Sequence, residues 1–154
     1  MEGDLSFALH ALVTRLDRSA DRMLHAELGV SYRRFLALFM IRDLGATTQR
    51  ALAERLDVSE PAISRMTAVL SNAGLLVAEP DPAGGNRRQL HPTAAGDELV
   101  DAGRALLARR FETLVQMSGI PAVAYARHTK RLLECLEDTD QDADAGRAVT
   151  GARR

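Results

Sequence analysis

The chain carries one cysteine, Cys135, among its 154 residues. A lone thiol excludes an intrachain disulfide and cannot assemble a zinc cluster within one copy. The histidines His10, His25, His91 and His128 never fall at ligand spacing within one helix, so metal sensing is not expected and no cofactor is implied. No apolar run approaches the roughly 18 residues of a membrane span. The first residues, MEGDLSFALH, begin with acids where a secretory signal would place cations, so the expectation is a cytoplasmic protein without a membrane partner. GxSxG, Walker-type loops, HExxH and clustered carboxylate pairs are all missing, and no enzyme is expected. A basic excess is missing too, since 20 Lys and Arg meet 21 Asp and Glu for a net charge of -1. That balance argues against nucleic-acid binding, because phosphate neutralisation supplies much of the affinity for DNA. With 46% hydrophobic and 27% charged residues, the composition is that of a chain long enough to bury one core.

The informative stretch lies between Thr47 and Gly96. Leu52 and Leu56 share one face of a short helix, Asp57 and Val58 make a tight connection, and Ile63, Met66 and Leu70 repeat at helical spacing on a second helix starting near Glu60. Ser59 is placed to N-cap that helix through its hydroxyl, and Pro61 is tolerated in a first turn that has no intrahelical partner to lose. The opposite face offers Glu60, Pro61, Ala62, Ser64, Arg65 and Ala68, short side chains around one long cation, which suits close approach to a duplex. Ala73-Gly74 ends the helix, Leu75 to Glu79 reads as a strand, and Pro80, Pro82, Gly84 and Gly85 punctuate a loop. Asn86, Arg87 and Arg88 follow before a second strand from Gln89 to His91, giving a hairpin with a cationic tip that can reach the minor groove or its phosphates. The candidate contacts to double-stranded DNA are therefore Ser59, Glu60, Pro61, Ser64 and Arg65 on the helix, with Asn86, Arg87 and Arg88 on the wing.

With LAERLDVSEPAISRMTAVLSNAGLL, the wing from Asp81 to Arg88 and the Thr93-Ala94-Ala95-Gly96 helix start, the sequence resembles the MarR family of bacterial transcription regulators. The likeness extends over the order of elements from about Leu5 to Asp138. It implies a mainly α fold with a small β-wing, a winged helix-turn-helix flanked by terminal helices that form a dimerisation region. It further implies an obligate homodimer whose second helix-turn-helix element enters the major groove. Family members commonly repress nearby genes and are released by small, often aromatic, ligands or by oxidation. Two departures stand out. A Gly-Gly tip separates Asp81 from Arg88, which would form the wing's internal pair, and Pro92 stands where a leucine usually precedes the threonine.

The expected organisation is one domain over 1–138, with the winged helix-turn-helix at about 45–96, dimerisation helices at 1–30 and 97–138, and a disordered tail at 139–154 whose composition lacks large apolar residues. Leu5, Leu9, Leu12, Leu16, Ala20, Met23 and Leu24 form a stripe too long for the small winged core to cover. Leu106, Leu107 and Leu114, then Leu132, Leu133 and Leu136, continue the pattern, so a twofold partner and an inverted-repeat operator are expected. Charge placement tempers the neutral balance. Between Gly45 and Gly96 five arginines meet five acids, but Arg65, Arg87 and Arg88 lie on the reading surface, whereas Glu54 and Asp57 can face away. Glu60, at the helix start, can offset the helix dipole or accept from a cytosine amino group. Tyr32, Arg33 and Phe35 suit a small aromatic or carboxylate effector. The plainer reading makes Phe35 core and leaves the arginines solvated or paired with Asp17 and Asp21. Cys135 reads as a buried, inert thiol. The competing function is a winged-helix module that holds a protein partner and binds no DNA.

Overall fold

A computed structural model describes residues 4–44, 48–80 and 88–151. Six helices and one hairpin follow in the order α1 (Leu5–Leu28), α2 (Tyr32–Leu44), α3 (Gln49–Leu56), α4 (Glu60–Asn72), β1 (Leu76–Pro80), β2 (Arg88–Pro92), α5 (Ala94–Ser118) and α6 (Ala122–Gly151). This is the mainly α winged architecture that the patterning implies.

Local chemistry sets the boundaries. The Asp4 carboxylate accepts from the Ser6 amide at 3.0 Å to open α1, and Gly29, left-handed at φ 67°, closes it. Asp21 on α1 accepts from the Tyr32 amide at 2.8 Å, so the first turn of α2 is satisfied by the preceding helix. Thr48 caps α3 through its hydroxyl, 3.2 Å from the Ala51 amide. The turn into α4 rests on Asp57, the only non-glycine residue with positive φ (50°) among those described.

Ser59 holds the N-cap position of α4 but makes no side-chain cap bond, correcting the sequence expectation. The cause is Pro61. It removes one of the amides a capping hydroxyl would reach, and the next, on Ala62, already donates to the Ser59 carbonyl at 2.9 Å.

The hairpin is antiparallel, with Leu76 opposite Pro92, Ala78 opposite Leu90 and Pro80 opposite Arg88. Its first strand starts one residue later than the pattern suggests, because the Leu75 carbonyl accepts from the Thr93 amide at 3.1 Å and serves as a connector. Both strands end on prolines, where the ladder needs no further donor. The Thr93 hydroxyl accepts from the Gly96 amide at 3.1 Å and donates to the Gly74 carbonyl at 2.7 Å, tying the start of α5 to the end of α4.

One apolar cluster locks the reading elements together. Leu38 and Ile41 on α2, Leu52 on α3, Ile63 and Leu70 on α4, Leu76 and Leu90 on the hairpin and Val100 on α5 are all buried. Each side chain of this kind contributes roughly 1.5–3 kcal/mol on burial, so the wing and α4 are held as one body. A second cluster gathers Leu24, Val30, Phe35 and Leu106. Gly103 lets α5 approach it, because a Cβ there would lie 2.3 Å from the Phe35 ring.

The chain groups into two compact units, Met1–Leu107 and Ala108–Arg154, where the sequence reading places one domain over 1–138. Burial follows the same division, with Gly96, Val100, Gly103 and Leu106 buried on α5 and no buried residue beyond Leu106 among those described. Helix α6 runs to Gly151, past Asp138 where the sequence reading begins a tail. The run lacks proline and holds Ala143, Ala145 and Ala148, and scarcity of large apolar residues limits packing without opposing helix formation. Cys135 is exposed, correcting the expectation of a buried thiol, because no described residue of its own chain covers that face of α6. No helix among the described residues is long and apolar enough to cross a membrane.

Candidate nucleic-acid interface

Helix α4 divides cleanly. Ile63, Thr67 and Leu70 are buried, whereas Glu60, Pro61, Ser64, Arg65 and Ala68 are exposed. Ser59 joins that open surface from the turn. The five candidate residues of the turn and helix therefore share one accessible region, and Arg65 and Glu60 enter no ion pair among the described residues. Arg88 opens β2 opposite Pro80 and is exposed. Asn86 and Arg87, like Asp81 and the Gly-Gly tip, lie outside the described residues.

Two features had escaped the sequence reading. Arg50 on α3, 77% exposed at its side chain, holds Glu54 at 3.0 Å and lines a groove of about 620 Å³ with Asp57, Ser59 and Glu60. Its pKa is raised by the bond to Glu54 and by the charges of Glu54 and Glu60. It is thus a cation beside the otherwise acidic start of α4. The signal available in the sequence was the i, i+4 spacing of Arg50 and Glu54.

The second feature is a buried polar link. Gln49 Nε2 donates to Thr67 Oγ1 at 3.1 Å, and that hydroxyl donates to the Ser64 carbonyl at 3.1 Å. Thr67 is the only buried polar residue among those described. The link sets how α3 meets α4 directly beneath the exposed Ser64 and Arg65.

These features coincide with relationships to known proteins. The model of the MarR family matches residues 28–85. An HTH-type transcriptional regulator of Mycobacterium tuberculosis is 34% identical over 118 residues, which are 74% of this chain and 79% of that one. The chain belongs to the MarR family. Its fold agrees with solved members. Wild-type apo MarR from E. coli superposes with a TM-score of 0.75 at 21% identity, covering 86% of this chain and 97% of that one. The S. aureus MepR–DNA complex gives a TM-score of 0.70 at 20% identity, covering 89% and 99%. As a MarR-family protein, the chain is a DNA-binding transcription regulator of the winged-helix type.

The proposed effector residues separate in this MarR-family structure. A crevice of about 720 Å³ lies between α1 and the helix-turn-helix, and Tyr32 and Arg33 line it, with Leu36, Leu56, Val58 and Met66 as apolar wall. Phe35 is not on it. It is 3% exposed and packs in the core, as the plainer reading had it, because Gly103 opens room for its ring. Asp17 and Asp21 also line the crevice, but both are engaged. Asp21 accepts from the Tyr32 amide, and the Asp17 carboxylate acts on the Tyr32 phenol. Burial raises the Tyr32 pKa above 10.0, helped by the charge of Asp17, so the phenol stays protonated. Arg18, Arg22 and Arg33 enter no ion pair among the described residues.

Proposed function

We propose that the protein is a homodimeric repressor in the cytoplasm that reads an inverted-repeat operator and leaves it when a small anionic aromatic ligand binds. The observation that carries the DNA contact is the division of α4, which buries Ile63, Thr67 and Leu70 and leaves Ser64 and Arg65 open beside Ser59, Glu60 and Pro61. The wing contributes Asn86, Arg87 and Arg88. Placement outweighs the neutral charge, since Arg50 answers Glu60 across its groove and Arg65 is unpaired. Twofold pairing is supported by bare apolar residues, among them Phe7 and Val13 on α1 (75% and 55% exposed) and Met117 on α5 (82%). Large apolar side chains left bare in this number mark surfaces that a partner covers.

The effector reading rests on the crevice. Three guanidiniums against two carboxylates leave a net positive charge beside an apolar wall, which suits a carboxylate attached to an aromatic ring. Met66 belongs to α4 itself, so an occupant touches the reading helix from behind.

The test is fluorescence anisotropy with a labelled duplex from the protein's own upstream region, titrated at several salt concentrations with wild type and Arg65→Ala. Neutralising about three phosphates per subunit gives a log–log salt slope of roughly -5 for a dimer, and Arg65→Ala should weaken binding at least about tenfold. Added sodium salicylate should release the duplex, and Arg33→Ala should blunt that release. Binding no tighter than to a scrambled duplex, for this region and for genomic fragments selected against the protein, would transfer the lead to a protein-interaction module.

A further inference from the structure

The start of α4 is poorly built to hold a phosphate. Pro61 has no amide, and the amides of Ala62 and Ile63 both donate to the Ser59 carbonyl, at 2.9 and 3.1 Å. Only the Glu60 amide of this first turn is left without a bond among those described. A single amide makes a weak cradle for an anion, and Glu60 adds a carboxylate at the same point. It is the one acid of α4, it is exposed, and it enters no ion pair among the described residues. Arg65 lies five positions on and so does not face it along the helix. The cation that answers Glu60 comes from α3. Arg50 spends its Nε on Glu54 at 3.0 Å, stays 77% exposed at its side chain, and lines one groove with Glu60, whose charge it feels without an ion pair.

We infer that Glu60 selects a cytosine in each operator half-site by accepting from its exocyclic amino group, and that Arg50 is the positioning residue that offsets repulsion between that carboxylate and the phosphates. This rests on the operator reading proposed above and adds the base pair that a half-site carries at the N-terminal end of α4. A helix lying in the major groove brings its N-terminal residues to base edges, and there an ionised carboxylate can only accept. Guanine and thymine offer it acceptors alone. Adenine offers a donor, but its N7 acceptor stands beside that donor and repels the second carboxylate oxygen. Cytosine offers the amino group with no acceptor next to it in the major groove. Without a neighbouring cation the carboxylate would turn from the polyanion toward solvent, and Arg50 removes that incentive.

Enrichment of duplexes from a random pool by the full-length protein, followed by anisotropy on the enriched duplex, tests both roles. Wild type should enrich an inverted repeat with one C·G pair per half-site at which Glu60→Gln enriches A·T instead, because an amide both donates and accepts and so fits adenine N6 and N7. The other positions should not change. Exchanging that cytosine for adenine should weaken wild type about tenfold per half-site and strengthen Glu60→Gln. Arg50→Ala should cut the wild-type preference to about threefold or less per half-site, whereas Arg50→Lys keeps the charge and should keep the preference. Arg55→Ala removes another exposed cation of α3 and should leave the preference as it was. A purely structural role for Arg50 would weaken binding to both duplexes alike. If wild type and Glu60→Gln enrich the same sequence, Glu60 reads no base and the operator reading stands. A preference untouched by Arg50→Ala overturns the role of Arg50. A wild type that enriches no duplex overturns the inference and the operator reading together.

Discussion

Substituting Gly103 by alanine asks whether Phe35 is a core residue fixed by the approach of α5. The new Cβ would sit 2.3, 2.8 and 3.1 Å from three atoms of the Phe35 ring, which is 3% exposed and closed in by Leu24, Val30 and Leu106. Since the ring has no free direction, α5 must shift or the ring must leave its rotamer. Overpacking of this kind costs up to about 3 kcal/mol. Alanine in a helix interior returns about 1 kcal/mol of propensity, leaving a net loss of about 2 kcal/mol. For a chain of this length that lowers the melting temperature by about 6 °C. The assay is urea and thermal unfolding at one fixed protein concentration, because dimerisation shifts apparent stability. Phe35→Leu provides the control. It costs stability alone, yet in the Gly103→Ala background it should recover part of the loss, giving a coupling of opposite sign to the single effects. If Gly103→Ala is neutral or stabilising, or if the two changes simply add, the packing argument for Phe35 is wrong.

Two further outcomes follow from named contacts. Thr67→Val keeps the shape but leaves the Gln49 amide without its acceptor, so stability should fall by about 1–2 kcal/mol and operator affinity should fall with it in anisotropy, while Thr67→Ser keeps both. Tyr32 holds its proton more tightly in the fold than in the unfolded chain, so its contribution is complete below pH 10 and is lost as the pH rises through the raised value. In a Tyr125→Phe background the 295 nm absorbance reports Tyr32 alone and should titrate above 10.0, and Tyr32→Phe should flatten the alkaline loss of stability. A midpoint at or below 10.0 would refute the burial and Asp17 argument.

Periodicity in the sequence was sufficient for the helix-turn-helix and its open face. Ile63 and Leu70 must turn inward together, and Ser64 and Arg65 then have no choice but to turn out. The wing was legible from its prolines and glycines, though its ends moved by a residue because the Leu75 carbonyl was claimed by Thr93, a contact eighteen positions away. Ser59 shows the limit of single-residue rules. It is a good cap by type, but Pro61 and the Ala62 amide leave nothing for its hydroxyl to bind. The effector residues show a different limit, since Tyr32 and Phe35 are three positions apart on α2 and equally aromatic in a list.

What the sequence by itself determined, then, was everything that follows from spacing along one element: which face of α4 is apolar, where α1 and α4 stop, and that a single thiol forms no internal bridge. What only the tertiary structure decided was everything that needs two distant elements to meet. Gly103 admits the Phe35 ring across 68 positions, Asp21 on α1 meets the Tyr32 amide while Asp17 raises the pKa of its phenol, and Thr67 finds Gln49 on α3. The physical reason is that a periodic pattern fixes the direction of a side chain relative to its own helix axis, whereas burial, partnering and a pKa depend on what the folded chain brings against it.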